Sequence, residues 1–198
     1  MALRENYREL LIDAAICVVA RDGLDRATTK AIAAAAACNE VYIYRNFGSK
    51  EGLLQSTFNR ADLNFVQTVI RNLGVMDDLS RPLEARCRAL WDPVWAFCLQ
   101  KPDVIRFYLR YYYSAQYLVS AHDLHHRNYQ QLQARLSRYF TSAHDSWFLM
   151  AHIFETILSF ISHVLNGDME DSPALSDQIF HLIYRTLEPY LLPDGPRP

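Results

Sequence analysis

The sequence lacks the short motifs that identify most enzyme classes. It contains no Gly-rich phosphate loop, no GxSxG elbow, no HExxH zinc motif and no ExxH pair on a predicted helix. It also lacks the β-branched alternation that is typical of a half-buried strand. We therefore expect neither an enzyme of these classes nor a fold built on a sheet.

Cysteines are few and widely spaced. Cys17, Cys38, Cys87 and Cys98 form no CxxC pair, so neither a zinc knuckle nor a disulfide framework is predicted. No uninterrupted apolar run approaches the ~20 residues that cross a membrane. Asp13 interrupts the first apolar run, which argues against the core of a secretory signal. We expect a soluble, cytoplasmic protein that has no membrane partner.

Neither sign of charge dominates the chain. It has 20 Lys and Arg against 22 Asp and Glu, a formal net charge of -2, so it is not coated in positive charge. A local basic face remains possible, since residues 1–60 contain eight basic and seven acidic side chains. With 51% hydrophobic residues among 198, the chain can bury a core, and a globular protein is expected.

Apolar residues recur at helical spacing along almost the whole chain, and glycines and prolines divide it into segments. This pattern predicts an all-α fold of about nine helices. The predicted helices cover approximately residues 3–22, 29–36, 39–45, 49–73, 82–99, 103–119, 123–140, 146–165 and 174–191.

Two short predicted helices follow one another closely between residues 29 and 45, which is the arrangement of a helix-turn-helix. The alanines of residues 33–37 allow the two helices to approach, and the second helix is then positioned to enter the major groove of DNA. We expect a three-helix DNA-binding head at residues 1–48, a connecting helix at 49–73 and a larger helical bundle at 74–198.

Several short motifs follow one another in this region: Thr28-Thr29, Ile32-Ala33, Ile43-Tyr44, Phe47, Ser49-Lys50-Glu51 and Leu53-Leu54. In this order they resemble the N-terminal DNA-binding domain of the TetR family of transcriptional regulators. The resemblance covers residues 7–58 and implies double-stranded DNA as a partner, a homodimer, a small-molecule effector and no cofactor.

The resemblance also implies roles for individual residues. It assigns phosphate contacts to Thr29, Tyr44 and Lys50, and base contacts to the exposed face of the short second helix. By chemistry, Glu40 suits cytosine, Arg45 suits guanine, and Val41 suits a thymine methyl group. The predicted DNA-binding residues are Thr28, Thr29, Asn39, Glu40, Val41, Tyr42, Tyr44, Arg45 and Lys50, with both Tyr42 and Tyr44 pointing outward.

Three residues depart from the family pattern. Ala37 stands in the turn where the family usually has glycine, and at a positive φ it would cost about 1 kcal/mol. Val41 replaces a small residue or proline, and Asn46 replaces a histidine or tyrosine.

Aromatic side chains are concentrated in the predicted bundle. They line an effector cavity, or they fill the core as aromatic residues at helical spacing commonly do. The predicted ligand-binding residues are Trp91, Trp95, Phe107, Tyr108, Tyr111 and Tyr112.

The last two predicted helices have wide apolar stripes. These form a four-helix interface across a two-fold axis, or an internal pair of helices. The predicted dimer residues are Trp147, Ile153, Phe154, Ile157, Ile161, Phe180, Ile183, Tyr184 and Leu187.

His122, His125 and His126 have the spacing of residues on one helical face. Because neither a cysteine nor a glutamate completes a ligand set, we expect solvated side chains and no metal site. The function expected is that of a ligand-released repressor. The alternatives are a DNA-binding adaptor without a small-molecule ligand and, less favoured, an all-helical enzyme.

Overall fold

The computed structural model describes residues 2–142 and 145–195, and the side chains of residues 7–142 and 145–195. Within these ranges the chain forms α-helices and short 3-10 turns but no strands, which confirms the all-α prediction. The ten helices are α1 Ala2–Asp22, α2 Thr29–Ala35, α3 Val41–Phe47, α4 Lys50–Asn72, α5 Leu83–Gln100, α6 Pro102–Tyr112, α7 Ala115–Ser120, α8 His122–Leu136, α9 Ser146–Asn166 and α10 Pro173–Leu187.

The predicted helix at 103–119 is two helices. α6 ends at Tyr112, where the Ser114 hydroxyl donates to the Tyr111 carbonyl at 2.7 Å, and α7 starts at Ala115. Ser114 adopts an extended backbone conformation, which separates the two axes. This local hydrogen bond of a serine competes with the helical ladder, and the periodic apolar pattern on both sides of it concealed the break.

The described chain forms two compact units. Unit 1 contains Met1–Leu63 and Lys101–His126, and unit 2 contains Asn64–Gln100 and Arg127–Pro198. α6 packs against α1 and α7 follows it, so unit 1 extends beyond the three N-terminal helices, and the expected head at 1–48 stays a prediction.

α1 is the central helix of unit 1 and packs against α2, α3 and α6. Its buried side chains include Leu11, Ala15 and Val19, which lie on one helical face. At its C-terminal end, the guanidinium of Arg110 donates to the carbonyls of Val19 and Ala20. Those carbonyls lie in the last turn, where cationic side chains are favourable.

Unit 1 also buries a polar pair. Asp62 of α4 is fully buried and accepts a hydrogen bond from Nδ1 of His125 at 2.9 Å, with the Phe58 ring beside the imidazole. The Tyr108 hydroxyl lies 3.5 Å from the same carboxylate oxygen. This pair ties α4 to α8 in the interior of the unit.

Unit 2 is built from the C-terminal part of α4, residues 127–136 of α8, and α5, α9 and α10. α5 packs against both α9 and α10. The chain after α8 meets the chain after α10 through an isolated antiparallel bridge between Phe140 and Leu191. By length and composition α9 is apolar and long enough to cross a membrane, and 33% of that stretch is buried inside the protein. A single helix of this kind is weak evidence for a membrane span.

Replacing Asp62 with alanine should destabilise the fold by about 1–3 kcal/mol, because the buried imidazole of His125 loses its acceptor. Urea unfolding followed by circular dichroism measures the difference. The matched control is Asp13→Ala, which removes an exposed partner of Arg60 and should change stability little. Equal effects of the two substitutions would contradict the interpretation of Asp62 as a structural acceptor.

Candidate DNA-binding helix and apolar cavity

Side-chain caps shape the two ends of the helix-turn-helix. The Thr28 hydroxyl accepts a hydrogen bond from the Ala31 amide at 3.1 Å and thereby starts α2. After the turn, the side-chain oxygen of Asn39 accepts from the Val41 amide at 2.9 Å. Thr28 and Asn39 therefore have structural roles at the helix starts, and both are also exposed at the surface.

The turn between α2 and α3 contains a strained residue. Ala37 has φ 49°, and it is the only residue other than glycine with a positive φ in the part of the chain that the structure describes. The Cys38 amide donates to the Ala33 carbonyl at 3.0 Å, which closes the C-terminal end of α2. The sequence pattern had marked this position as one where the family prefers glycine, and the left-handed conformation accounts for that preference.

α3 presents one polar and apolar mixed face to solvent. Val41 is 49% exposed, Tyr44 is 54% exposed, and Arg45 lies beside them, while Ile43 is fully buried. The three exposed residues have i, i+3 and i+4 spacing, which places them on one side of the helix. A single α-helix fits the major groove of DNA, so an exposed face of this kind is suited to contact base edges. A helix that makes such contacts is called a reading helix below.

Tyr42 does not belong to that face. Its ring stacks on Tyr7 of α1, with centroids 4.1 Å apart and an angle of 18° between the planes. The outward orientation expected for Tyr42 is therefore wrong, and the half-buried ring instead fastens α3 to α1. Periodicity within a helix of seven residues did not reveal a contact with a ring 35 positions earlier.

A second clamp lies at the other end of α3. The guanidinium of Arg8 lies 4.7 Å from the ring centroid of Phe47 and donates to the Asn46 carbonyl at 3.4 Å. The Asn46 side chain donates to the Tyr42 carbonyl at 2.7 Å. Arg8 and Asn46 therefore hold α3 in position, a role that was not predicted from the sequence for either residue.

Two of the predicted DNA-binding residues contact each other. The hydroxyl of Thr29 donates to the carboxylate of Glu40, which links the start of α2 to the residue before α3. Both side chains are half-buried. The Glu40 side chain is thus held next to the exposed face of α3 by a contact that spacing alone did not predict.

Lys50 occupies the first turn of α4, as predicted. Ser49 caps this helix, because its hydroxyl accepts from the Gly52 amide at 3.0 Å. The Lys50 ammonium adds to the positive end of the helix dipole, which favours a phosphate group. Gly52 permits the approach of α4 to α3, since a Cβ atom there would lie 2.2 Å from the Phe47 carbonyl oxygen.

Unit 2 contains an apolar cavity of about 110 Å³ between its helices. Val69 of α4 reaches its wall, together with side chains from α5, α8, α9 and α10. The lining residues are Val69, Met76, Cys87, Leu90, Trp91, Val94, Leu136, Tyr139, Phe140, Ile153, Phe154, Ile157, Phe180, Ile183, Tyr184, Leu187 and Leu191.

The two phenol hydroxyls at the cavity wall are neutral and hydrogen-bonded. The Tyr139 hydroxyl donates to Asp77 at 2.8 Å, and the Tyr184 hydroxyl donates to Glu188 at 3.2 Å. Burial, more than those carboxylates, raises the pKa of each phenol to about 12, and burial likewise raises the pKa of Cys87 to about 12. The cavity therefore favours an uncharged ligand with a large apolar surface.

The predicted ligand-binding residues do not meet at this cavity. Trp91 lines it, and Trp95 is buried with its ring stacked 5.1 Å from that of Trp91 but does not reach the lining. The other four, Phe107, Tyr108, Tyr111 and Tyr112, belong to unit 1, where they stack with one another or with Phe58.

Most of the predicted dimer residues face the interior of unit 2. Seven of them line the cavity: Ile153, Phe154, Ile157, Phe180, Ile183, Tyr184 and Leu187. Ile161 is also buried, and Trp147 is partly exposed near the start of α9. The most exposed apolar side chains of α9 and α10 are Phe148, at 73% exposure, and Leu182, at 52%.

Comparison with known proteins relates the chain to a family of regulators. The family described as bacterial regulatory proteins, tetR family, matches residues 11–57, which include α2 and α3. The HTH-type nicotine-responsive transcriptional repressor HdnoR of Paenarthrobacter nicotinovorans is 32% identical over 91 residues, which are 46% of this chain and 45% of the relative. The match thus spans about half the length of that curated relative.

Solved structures share the fold over most of the chain. A TetR family regulator from Marinobacter aquaeolei has a TM-score of 0.70 at 20% identity and covers 93% of this chain and 97% of its own. The fatty acid degradation regulator FadR from Bacillus halodurans has a TM-score of 0.70 at 22% identity, covering 88% and 96%. The multidrug binding protein EbrR, solved with imidazole, has a TM-score of 0.67 at 17% identity, covering 90% and 93%.

Replacing Ala37 with glycine should stabilise the fold by about 0.5–1 kcal/mol, because glycine adopts φ 49° without strain and the gain exceeds its larger unfolded-state entropy. Urea unfolding measures the change. The matched control is Ala35→Gly in the last turn of α2, which should destabilise by a similar amount. The interpretation is contradicted if both substitutions destabilise the protein equally.

Proposed function

Because the chain belongs to the TetR family of bacterial transcriptional regulators, we propose that it is a dimeric repressor released from a palindromic operator by a small effector. The family consists of transcription regulators and not of enzymes. The observation that carries the proposal is the exposed face of Val41, Tyr44 and Arg45, held outward by the buried Ile43. Such regulators act in the cytoplasm, where the operator is.

Each residue of the reading face has a distinct role in this proposal. Arg45 forks to a guanine, Val41 meets a thymine methyl group, and Tyr44 reaches the backbone beside Lys50. The Thr28 and Thr29 hydroxyls lie at the start of α2, whose free amides favour a phosphate. Glu40, tied to Thr29, accepts from a cytosine at the edge of the site.

A dimer is proposed because one reading helix offers few phosphate contacts for specific binding. The exposed Phe148 and Leu182 belong to the two last helices and supply an apolar surface for a second copy. His152 donates to or accepts from Thr186 at 2.9 Å, which joins the outer sides of α9 and α10. The two copies would place their α3 helices one turn of DNA apart, about 34–36 Å.

The effector is proposed to be a neutral apolar or aromatic molecule that occupies the cavity of unit 2. The HdnoR relative is nicotine-responsive, and FadR and EbrR carry names that refer to fatty acid degradation and multidrug binding. As formed, the cavity of about 110 Å³ is smaller than the ~300 Å³ of ordinary ligand pockets. A drug-sized effector would therefore need to enlarge it.

Enlargement of the cavity would act on DNA binding through α4. Val69 lines the cavity, and Lys50 begins the same helix. A ligand that prefers the enlarged state shifts the population toward it, by an amount equal to its difference in affinity for the two states. Displacement of α4 would then change the spacing of the two reading helices and lower the affinity for the operator.

Operator recognition can be tested with a duplex obtained by selection from random sequences. Arg45→Ala should weaken binding by about 1–3 kcal/mol and relax the preference at one base pair per half-site. Lys50→Ala should weaken binding to all sequences and reduce the salt dependence by about one phosphate contact for each subunit. Fluorescence anisotropy at several salt concentrations measures both effects and the number of chains per duplex.

The control for this experiment is Arg71→Ala, which removes an exposed arginine of unit 2 whose side chain contacts Gln67. Its operator affinity should match that of the unsubstituted protein. Failure of the selection to enrich any sequence, or equal affinity of the Arg45→Ala variant, would refute the assignment of α3 as a reading helix.

Effector binding can be tested by thermal unfolding with a panel of apolar and aromatic compounds. A compound that binds the native state raises Tm. An effector also binds the DNA-bound form less tightly than the free form, and linkage then requires that it lower the operator affinity by the same factor. Ile157→Phe fills part of the cavity and should abolish the rise in Tm while operator binding persists. The control Ile179→Phe alters a buried residue of α10 outside the lining and should retain the rise.

Operator binding without any stabilising compound in the panel would favour the alternative function of a DNA-binding adaptor. A rise in Tm that persists unchanged in Ile157→Phe would instead place the ligand outside this cavity.

A further inference from the structure

Two imidazole rings face each other in unit 1, outside the reading helix and outside the cavity. His122 and His126 are one helical turn apart on α8, and their Nε2 atoms are separated by 3.0 Å. The ring centroids lie 4.3 Å apart. Residues at i and i+4 lie on one side of a helix, so both rings point into the same region.

The separation of the two nitrogens suits a shared metal ion. Histidine nitrogen binds transition metals at about 2.0–2.1 Å. Two such bonds at a right angle place the nitrogens about 2.8–3.0 Å apart, and a right angle is the geometry of square-planar or tetragonal Cu²⁺ and Ni²⁺. The same distance fits an N–H···N hydrogen bond, which a metal ion replaces after one ring changes its tautomer.

Asp123 holds His122 in the orientation that this site requires. Its carboxylate oxygen lies 3.2 Å from Nδ1 of His122 and accepts the proton there, so that Nε2 presents its lone pair toward His126. A carboxylate in this outer position fixes the ring of a metal ligand and raises its basicity. The negative charge also offsets the positive end of α8, which would otherwise disfavour a cation.

The pair is open to solvent. The His122 side chain is 44% exposed, which gives an ion access. The His125 ring packs edge-on against His126, with centroids 6.0 Å apart, and its Nδ1 is hydrogen-bonded to the buried Asp62. The Tyr117 ring packs edge-on against His122, with centroids 5.9 Å apart.

We propose that His122 and His126 form a two-histidine site for a divalent transition-metal ion, with Cu²⁺ bound more tightly than Ni²⁺ or Zn²⁺. The preference follows the general order of affinities for nitrogen ligands. Water completes the coordination, because the described residues bring no group of three potential ligands together. The sequence predicted no metal site because neither a cysteine nor a glutamate completes a ligand set near the histidines. In the proposed site Asp123 does not bind the metal but holds the ring of His122.

Calorimetric titration of the tag-free chain of 198 residues with Cu²⁺, in a buffer with a weak competing ligand, tests the proposal. One ion should bind per chain, and the paramagnetic resonance spectrum should show two nitrogen ligands. His122→Gln and His126→Gln should each weaken binding at least tenfold, and Asp123→Asn should weaken it by a smaller factor. Circular dichroism checks that each variant is folded.

The matched control is His163→Gln. His163 has the same type of ring–carboxylate contact, with Nδ1 3.1 Å from Asp168, and a similar exposure. Its loss should leave the Cu²⁺ affinity unchanged. The proposal is overturned if the double variant at His122 and His126 binds Cu²⁺ as tightly as the unsubstituted chain, or if His163→Gln weakens binding as much as His122→Gln.

Discussion

The packing of α1 against α3 is the constraint on which the recognition surface depends. α3 has seven residues, too few for a helix to be stable alone. Ile43 is its one buried side chain, so α3 buries little apolar surface of its own. Tyr7 and Arg8, near the start of α1, supply the missing contacts to Tyr42 and Phe47. The rotation of α3, and therefore the identity of its exposed side chains, is set by a helix that need not touch DNA.

This arrangement explains which parts of the site were predictable from sequence. The caps at Thr28, Asn39 and Ser49 act on amides two or three residues away, so local patterns predicted the helix starts. The strain at Ala37 was expected from the resemblance to the TetR family, which usually has glycine in this turn, and not from local sequence patterns. Tyr42 was misplaced, since its orientation depends on Tyr7, which lies in another helix.

The apolar stripes of α9 and α10 illustrate a different limit. Periodicity identified their buried side correctly, but an apolar stripe does not specify what covers it. Here Ile157, Phe180 and Tyr184 turn toward a cavity within unit 2, whereas Phe148 and Leu182 remain exposed. The same ambiguity sent four aromatic residues of α6 to a predicted ligand site, although in the structure they pack within unit 1.

The charge of the reading surface bears on how specificity would arise. Glu40 is bonded to Thr29 next to the exposed face of α3 that carries Arg45, and Lys50 begins the following helix α4. A carboxylate near phosphates lowers affinity for every duplex, unless a base with an exposed amino group compensates for it. Binding to the wrong sequence is thereby penalised more than binding to the right one, which is a means of discrimination. A chain of net charge -2 can then bind DNA selectively, because its affinity does not rest on a broad positive surface.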